Sequence, residues 1–291
     1  MEMWKIRRNI ITEKKQLAYA GWLRAEEKAE ATIEKYSREV KAFADWLSGE
    51  KVTKEAACEY KKYLIKGKGR EAAGVNAAIA ALNSFFSFMA WDIKLKPLKI
   101  QRQTFRDKDR VLIKAEYKRL LKAAKAKGRK RLYFIMQTIC STGIRVSELI
   151  YITLEAVCRD MVEITNKGKT RTIFIPEELK DLLLRYADRQ GIQSGCIFIT
   201  KSGKPVSRSN IWAEMKKLCE AAGVNPEKVY PHNLRALFAR AFYGIDKDIA
   251  KLADILGHSS IDTTRIYLRE SGEKHREKIN SLGLVMAGTA G

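Results

Sequence analysis

Three histidines in 291 residues make their placement informative. His232 and Arg235 stand three apart in Pro231-His-Asn-Leu-Arg235, a spacing that puts both on one face of a helix. His258 follows Gly257, where a helix is expected to stop, and Tyr267 lies further on in the same segment. His275 falls in a charged stretch near the end and reads as solvated. Arg145 and Glu148 are again three apart, and alone they read as a surface ion pair.

Together these residue types suit chemistry on a phosphodiester. A tyrosine hydroxyl attacking phosphorus builds a crowded phosphorane with added negative charge, and planar guanidinium forks such as Arg145 and Arg235 can hold its oxygens. A free tyrosine, with a pKa of about 10, needs a base or a strongly positive site. His232 could take that proton, and His258 could donate a hydrogen bond to a phosphate oxygen. By residue type alone Tyr230 and Tyr243, close to His232 in the chain, compete with Tyr267 as the nucleophile.

The elements that must position these groups are mostly helices. In the first hundred residues, apolar side chains recur at helical spacing over Ala31 to Leu47, with Gly49 at the expected cap, and again from Val75 to Met89. A shorter helix fits Thr53 to Lys66. The aromatics keep the helical period and so read as core rather than as a base-stacking platform. From Lys94 to Arg110 the pattern fails around Pro97, and seven basic residues face only Asp107 and Asp109, which suggests an extended basic linker. Beyond it, Arg131 to Cys140 suits a buried helix ended by Ser141-Thr-Gly143, with a short helix from near Ile144. Met161 to Thr165 and Arg171 to Ile175 alternate as two strands around the tip Asn166 to Thr170. The remainder reads as mainly helical: Pro231 opens one helix, Asp246 to Leu256 forms another closed by Gly257, and Ser259 or Ser260 can cap the next.

Composition narrows the partner. A formal charge of +22 suits a polyanion, and because the Lys and Arg run through the whole chain, nucleic acid fits better than a membrane surface. No apolar run approaches a spanning helix and the first residues lack a signal-peptide core, so a cytoplasmic protein is expected. The five cysteines are scattered without a Cys-x-x-Cys pair and read as reduced thiols. Asp246 with Asp248, and Asp107 with Asp109, raise the possibility of a metal-dependent nuclease. Carboxylates two apart on a helix diverge, however, and no cluster with ligand spacing accompanies them, so no metal and no cofactor are expected.

In order along the chain, Arg145, Glu148, a hairpin lysine, His232, Arg235, His258 and Tyr267 form a set that resembles the tyrosine recombinase, or phage-integrase-like, family. The resemblance runs over most of Arg110 to Met286 and is strongest in Ser141-Thr-Gly-Ile-Arg-Val-Ser-Glu-Leu149 and in Leu256 to Tyr267. It singles out Tyr267 as the nucleophile. It implies catalytic roles for Arg145, Lys167, His232, Arg235 and His258, with Glu148 in support. Lys167, with Lys169 as second choice, would protonate the leaving 5′-hydroxyl. It implies a mainly α (α+β) protein shaped as a C-shaped clamp: a helical core-binding (SAM-like) domain over 16–93, the basic linker 94–110, and a mostly helical catalytic domain with a small antiparallel sheet over 111–286. Residues 1–15 stay unassigned, 287–291 form a tail, and no separate arm-site-binding domain is expected.

The activity implied is site-specific recombination or integration through a 3′-phosphotyrosyl intermediate, without metal or ATP. The implied partner is double-stranded DNA, bound by a homotetramer on paired sites that is monomeric or dimeric when free, with accessory DNA-bending factors possible and nucleoid association when bound. Ala236 stands where many relatives carry a second histidine, which weakens a chromosome-dimer-resolving subgroup more than it weakens catalysis. A type IB topoisomerase would share the chemistry, and a catalytically silent DNA-binding protein would keep the charge without needing Tyr267.

Overall fold

The structure, a computed structural model, describes residues 9–100, 108–166, 169–269, 272–282 and 284. The chain divides into two compact units, Met1–Arg102 and Gln103–Gly291.

Among its described residues the first unit holds four helices: α1 (Glu13–Ala25), α2 (Glu30–Leu47), α3 (Lys54–Lys66) and α4 (Ala72–Phe88). Thr12 and Thr53 cap α1 and α3 by accepting from the N–H groups of Lys15 and Ala56. The expected aromatic core is present, with Phe43, Phe85 and Phe86 fully buried and Phe85 meeting the Tyr19 ring edge-on. Periodicity in the sequence does not reveal α1, because only Tyr19 and Leu23 of its stripe are buried while Leu17 lies exposed. The left-handed cap of α2 falls on Ser48, one residue before the glycine expected there.

Residues 94–110, which read as a linker, begin as a strap on α4. The Asn83 side chain exchanges two hydrogen bonds of 2.9 Å with the backbone of Leu95, and Asn76 makes the same pair with Leu98 at 2.7 and 2.9 Å. The spacings match: seven helical residues rise about 10.5 Å and three extended ones about 10 Å. Residues 101–107 lie outside the described part.

The second unit is also mainly helical, with one antiparallel hairpin among its described residues, β1 (Met161–Asn166) and β2 (Lys169–Phe174). Before the hairpin come α5 (Lys114–Ala126), α6 (Lys130–Thr142), a 3₁₀ helix over Val146–Tyr151 and α7 (Leu154–Cys158). After it come α8 (Glu177–Arg189), α9 (Arg208–Lys216), α10 (Cys219–Ala222), α11 (Pro231–Ile245), α12 (Ile249–Leu256), α13 (Ile261–Leu268) and α14 (Gly272–Asn280). The hairpin is in register with Val162 opposite Ile173 and Ile164 opposite Arg171. Val162, Ile164 and Ile173 are buried, so its inner face joins the main core.

Near the site, α11 packs on α6, α12 and α13. α12 starts later than the expected Asp246, because Asp248 accepts from the N–H groups of Ala250 and Lys251 and so caps it, while Asp246 pairs with Lys251 at 2.7 Å. Capping and ion pairing thus occupy Asp246 and Asp248, one of the two carboxylate pairs of the nuclease alternative, while Asp107 of the other pair lies outside the described residues. Ser260, one of the two serines expected, caps α13. Among the described residues no helix is long and apolar enough to cross a membrane.

Candidate active site

At the site, α6 ends on Gly143 (φ 66°) and α12 on Gly257 (φ 62°), both glycines in the left-handed conformation. Such ends leave backbone carbonyls without helical partners and carry partial negative charge, which favours cations. Two arginines take them. Arg235, from the second turn of α11, donates Nη1 to Gly143 O and Nη2 to Leu256 O. Arg145 donates Nη2 to Gly257 O at 2.8 Å. Both glycines are also sterically required: a Cβ on Gly143 would meet the Phe238 ring at 2.5 Å, and one on Gly257 the Arg171 side chain at 2.6 Å.

Glu148 is buried, not the surface partner its spacing first suggests. One carboxylate oxygen accepts from Arg145 Nη1 at 2.9 Å; the other accepts from the Arg145 backbone N–H at 2.9 Å and from Arg171 Nη2 at 2.6 Å. Burial alone would raise its pKa, but the bonds to Arg171 and Arg145 outweigh that and hold it below the usual carboxylate value. Glu148 therefore stays ionised and orients two guanidinium groups.

Arg235 is only 2% exposed, and burial followed by the repulsion of Arg145 lowers its pKa to about 10, which leaves it a cation at neutral pH. His258 sits directly after the Gly257 turn, with Nε2 3.2 Å from Arg235 Nη2 and Nδ1 2.8 Å from Thr264 Oγ1. Burial first, then the charges of Arg235, Arg145 and Arg171, push its pKa down to about 4, so the ring is neutral at physiological pH.

Tyr267 projects from α13, its body packed with Ala236, Ala239, Leu252 and Leu256. Its hydroxyl lies 3.4 Å from His232 Nδ1 on the first turn of α11, and its ring centroid is 5.0 Å from that of His232 and 5.4 Å from that of His258. An open cleft of about 630 Å³ reaches His232 and is lined by Arg110, Arg208, Trp212, Lys216 and Tyr230.

The fold thus brings six of the residues singled out from the sequence, Arg145, Glu148, His232, Arg235, His258 and Tyr267, into one site. Lys167 lies outside the described residues. Lys169 closes the ladder opposite Asn166, and its side chain is outside the description as well. Two members were missed: Arg171, whose position between Thr170 and Thr172 on a strand gave no sign of a charge facing inward, and Thr264, hidden in an ordinary helix-forming stretch. Arg171 could have been found by register, since it stands opposite the buried Ile164.

Catalytic-type side chains drawn from loops, a hairpin and three helices meet at one cationic point, and the family follows from what the segment carrying them matches. A family model described as the phage integrase family matches residues 110–274, more than half of the chain and the whole of the described site. The chain belongs to the phage integrase family. It is a DNA-binding, tyrosine-type site-specific recombinase that works through a phosphotyrosyl intermediate. Its similar relatives include the tyrosine recombinase XerA of Thermococcus kodakarensis, 29% identical over 269 residues that cover 89% of this chain and 92% of the relative. The XerA of Pyrococcus furiosus is 28% identical over 275 residues, covering 92% and 93%. Among solved structures, XerH bound to a palindromic difH substrate in a post-cleavage complex matches with a TM-score of 0.69 at 19% identity, over 94% of this chain and 90% of that one. A lambda integrase dimer (residues 75–356) bound to a COC′ core site gives 0.69 at 19% identity, over 90% and 96%. These two likenesses establish the recombinase fold.

Proposed function

We propose that Tyr267 is the nucleophile of strand transfer and that Arg145, Arg235 and His258 hold the phosphate it attacks. The observation that carries this reading is the Tyr267 hydroxyl, 3.4 Å from His232 Nδ1 in a site where Arg235 and Arg145 converge. The Tyr267 oxygen bonds to phosphorus as the bond to the 5′ oxygen breaks, and His232 takes the phenolic proton. The leaving 5′ oxygen receives a proton from Lys167, or from Lys169 as the second choice. The guanidinium groups spread the charge of the phosphorane over fixed donors. Because one phosphodiester is exchanged for another, the reaction needs neither ATP nor a metal ion to proceed, and rejoining is the same path reversed.

Residues 16–93 then serve as the core-binding domain, residues 111–286 as the catalytic domain, and the basic residues of the cleft beside His232 as contacts to the DNA backbone. Assembly as a tetramer on two paired sites, in the cytoplasm and with accessory bending factors where the site requires them, completes the reading. XerH was solved bound to a palindromic difH substrate and lambda integrase bound to a COC′ core site, and a recombination site in duplex DNA is accordingly the substrate this reading assigns here.

The test is a nicked suicide duplex incubated with the protein in EDTA. A covalent DNA adduct that forms with the native chain and is lost in Tyr267→Phe supports the reading. An adduct that persists in the variant, or cleavage that requires Mg²⁺, overturns it.

A further inference from the structure

His258 is held at both ring nitrogens, and the two partners differ in kind. Nε2 faces Arg235 Nη2 at 3.2 Å. A guanidinium has donors only, so Nε2 must present its lone pair. The ring of a neutral imidazole then carries its proton on Nδ1, and the atom there to receive it is Thr264 Oγ1 at 2.8 Å. Thr264 is fully buried, one helical turn before Tyr267 on α13, whereas the His258 ring is only half-buried and stays within reach of water.

Holding a phosphate oxygen asks for the opposite arrangement. A neutral histidine that donates from Nε2 must carry its proton there and accept at Nδ1. A threonine hydroxyl can serve both states, because it accepts through a lone pair or donates after a rotation about its C–O bond. We propose that Thr264 is a positioning residue that lets His258 exchange tautomers as the phosphate binds. In the free protein Thr264 accepts from Nδ1–H. When the phosphate takes over the Arg235 Nη2 donor, the ring gains a proton at Nε2 from water and loses the one at Nδ1 to water, with no net change of charge. Thr264 then donates to Nδ1, and Nε2–H points at the phosphate. This inference rests on the site being a phosphate-binding centre, as proposed above.

Two measurements test it. In the free protein, labelled with ¹⁵N-histidine and assigned by a His258→Gln variant, His258 is expected to show a protonated Nδ1 and an unprotonated Nε2; an Nε2–H signature overturns the proposal. On a nicked duplex that the native chain cleaves, Thr264→Val should lower the cleavage rate about tenfold, the worth of one hydrogen bond, with DNA affinity unchanged. Thr264→Ser, which keeps the hydroxyl, should cleave within about threefold of native on the same reasoning. Native-rate cleavage by Thr264→Val, or Thr264→Ser no better than Thr264→Val, overturns it. The spectrum is read without DNA, so a failure of the tautomer assignment is distinct from a failure of Tyr267 as nucleophile.

Discussion

Arg171 Nη2 donates to Glu148 Oε2 at 2.6 Å, and the same arginine side chain packs where any Cβ on Gly257 would have to be. The hairpin is thereby tied to the turn that presents His258 and to the carboxylate that orients Arg145. Arg171→Ala is expected to lower stability by about 1–3 kcal/mol, the cost of leaving a buried charged group short of a partner. It should also slow cleavage at least about tenfold, through loosened Arg145 geometry. Denaturant midpoints and single-turnover cleavage measure the two effects. Unchanged values in both would mean the bond does not organise the site.

Stability should depend on pH through His258. Its folded pKa of about 4 lies below the ordinary 6.5, with burial as the main cause and Arg235 next. The unfolded chain therefore binds more protons between those values, so stability present above pH 6.5 is lost as pH falls toward 4. Glu148, also depressed, adds a loss at still lower pH. Melting temperatures recorded from pH 7.5 to 4 should fall, and in His258→Ala the fall between 6.5 and 4 should be shallower than in the native chain.

Arg235 bridges two carbonyls, Gly143 O and Leu256 O, that terminate different helices. A lysine ammonium cannot span that pair and face the phosphate as well. Arg235→Lys, although it conserves the charge, should lose about 10²- to 10³-fold in cleavage rate, while DNA affinity, set by many phosphate contacts, changes little. Cleavage near the native rate would show that charge alone is what the position supplies.

If His232 receives the Tyr267 proton, His232→Ala should slow covalent adduct formation by about 10²-fold, and raising the pH toward the phenol's own ionisation should recover part of the rate. A variant with native kinetics and an unchanged pH profile would remove His232 from the proton path.

Much of the site is legible in the sequence because its residues are spaced by helix geometry. His232 and Arg235 share a face of α11, and Gly257 had to end a helix wherever it stood after Ile249–Leu256. Glu148 is harder: the three-residue spacing that suggests a surface pair is the same spacing that lets it fold back onto the Arg145 N–H inside the core, and only packing distinguishes the two. Arg171 and Thr264 escape notice because their roles are set by what lies opposite them in space, a buried strand neighbour in one case and the ring of His258 in the other. In the first unit, α1 is hidden for a related reason, since two buried side chains make too thin a stripe to read as periodicity. The strap over α4 is invisible in the sequence because it depends on paired asparagines on one element meeting backbone on another.

The most direct test of Tyr267 as the nucleophile is to map the covalent bond itself. Protein trapped on a suicide duplex, treated with nuclease and trypsin, should yield a nucleotide-bearing peptide of residues 266–269, Ile-Tyr-Leu-Arg, with the phosphate on the Tyr267 oxygen. A modified Tyr230 or Tyr243, or a nucleotide attached to serine or histidine, would contradict the account.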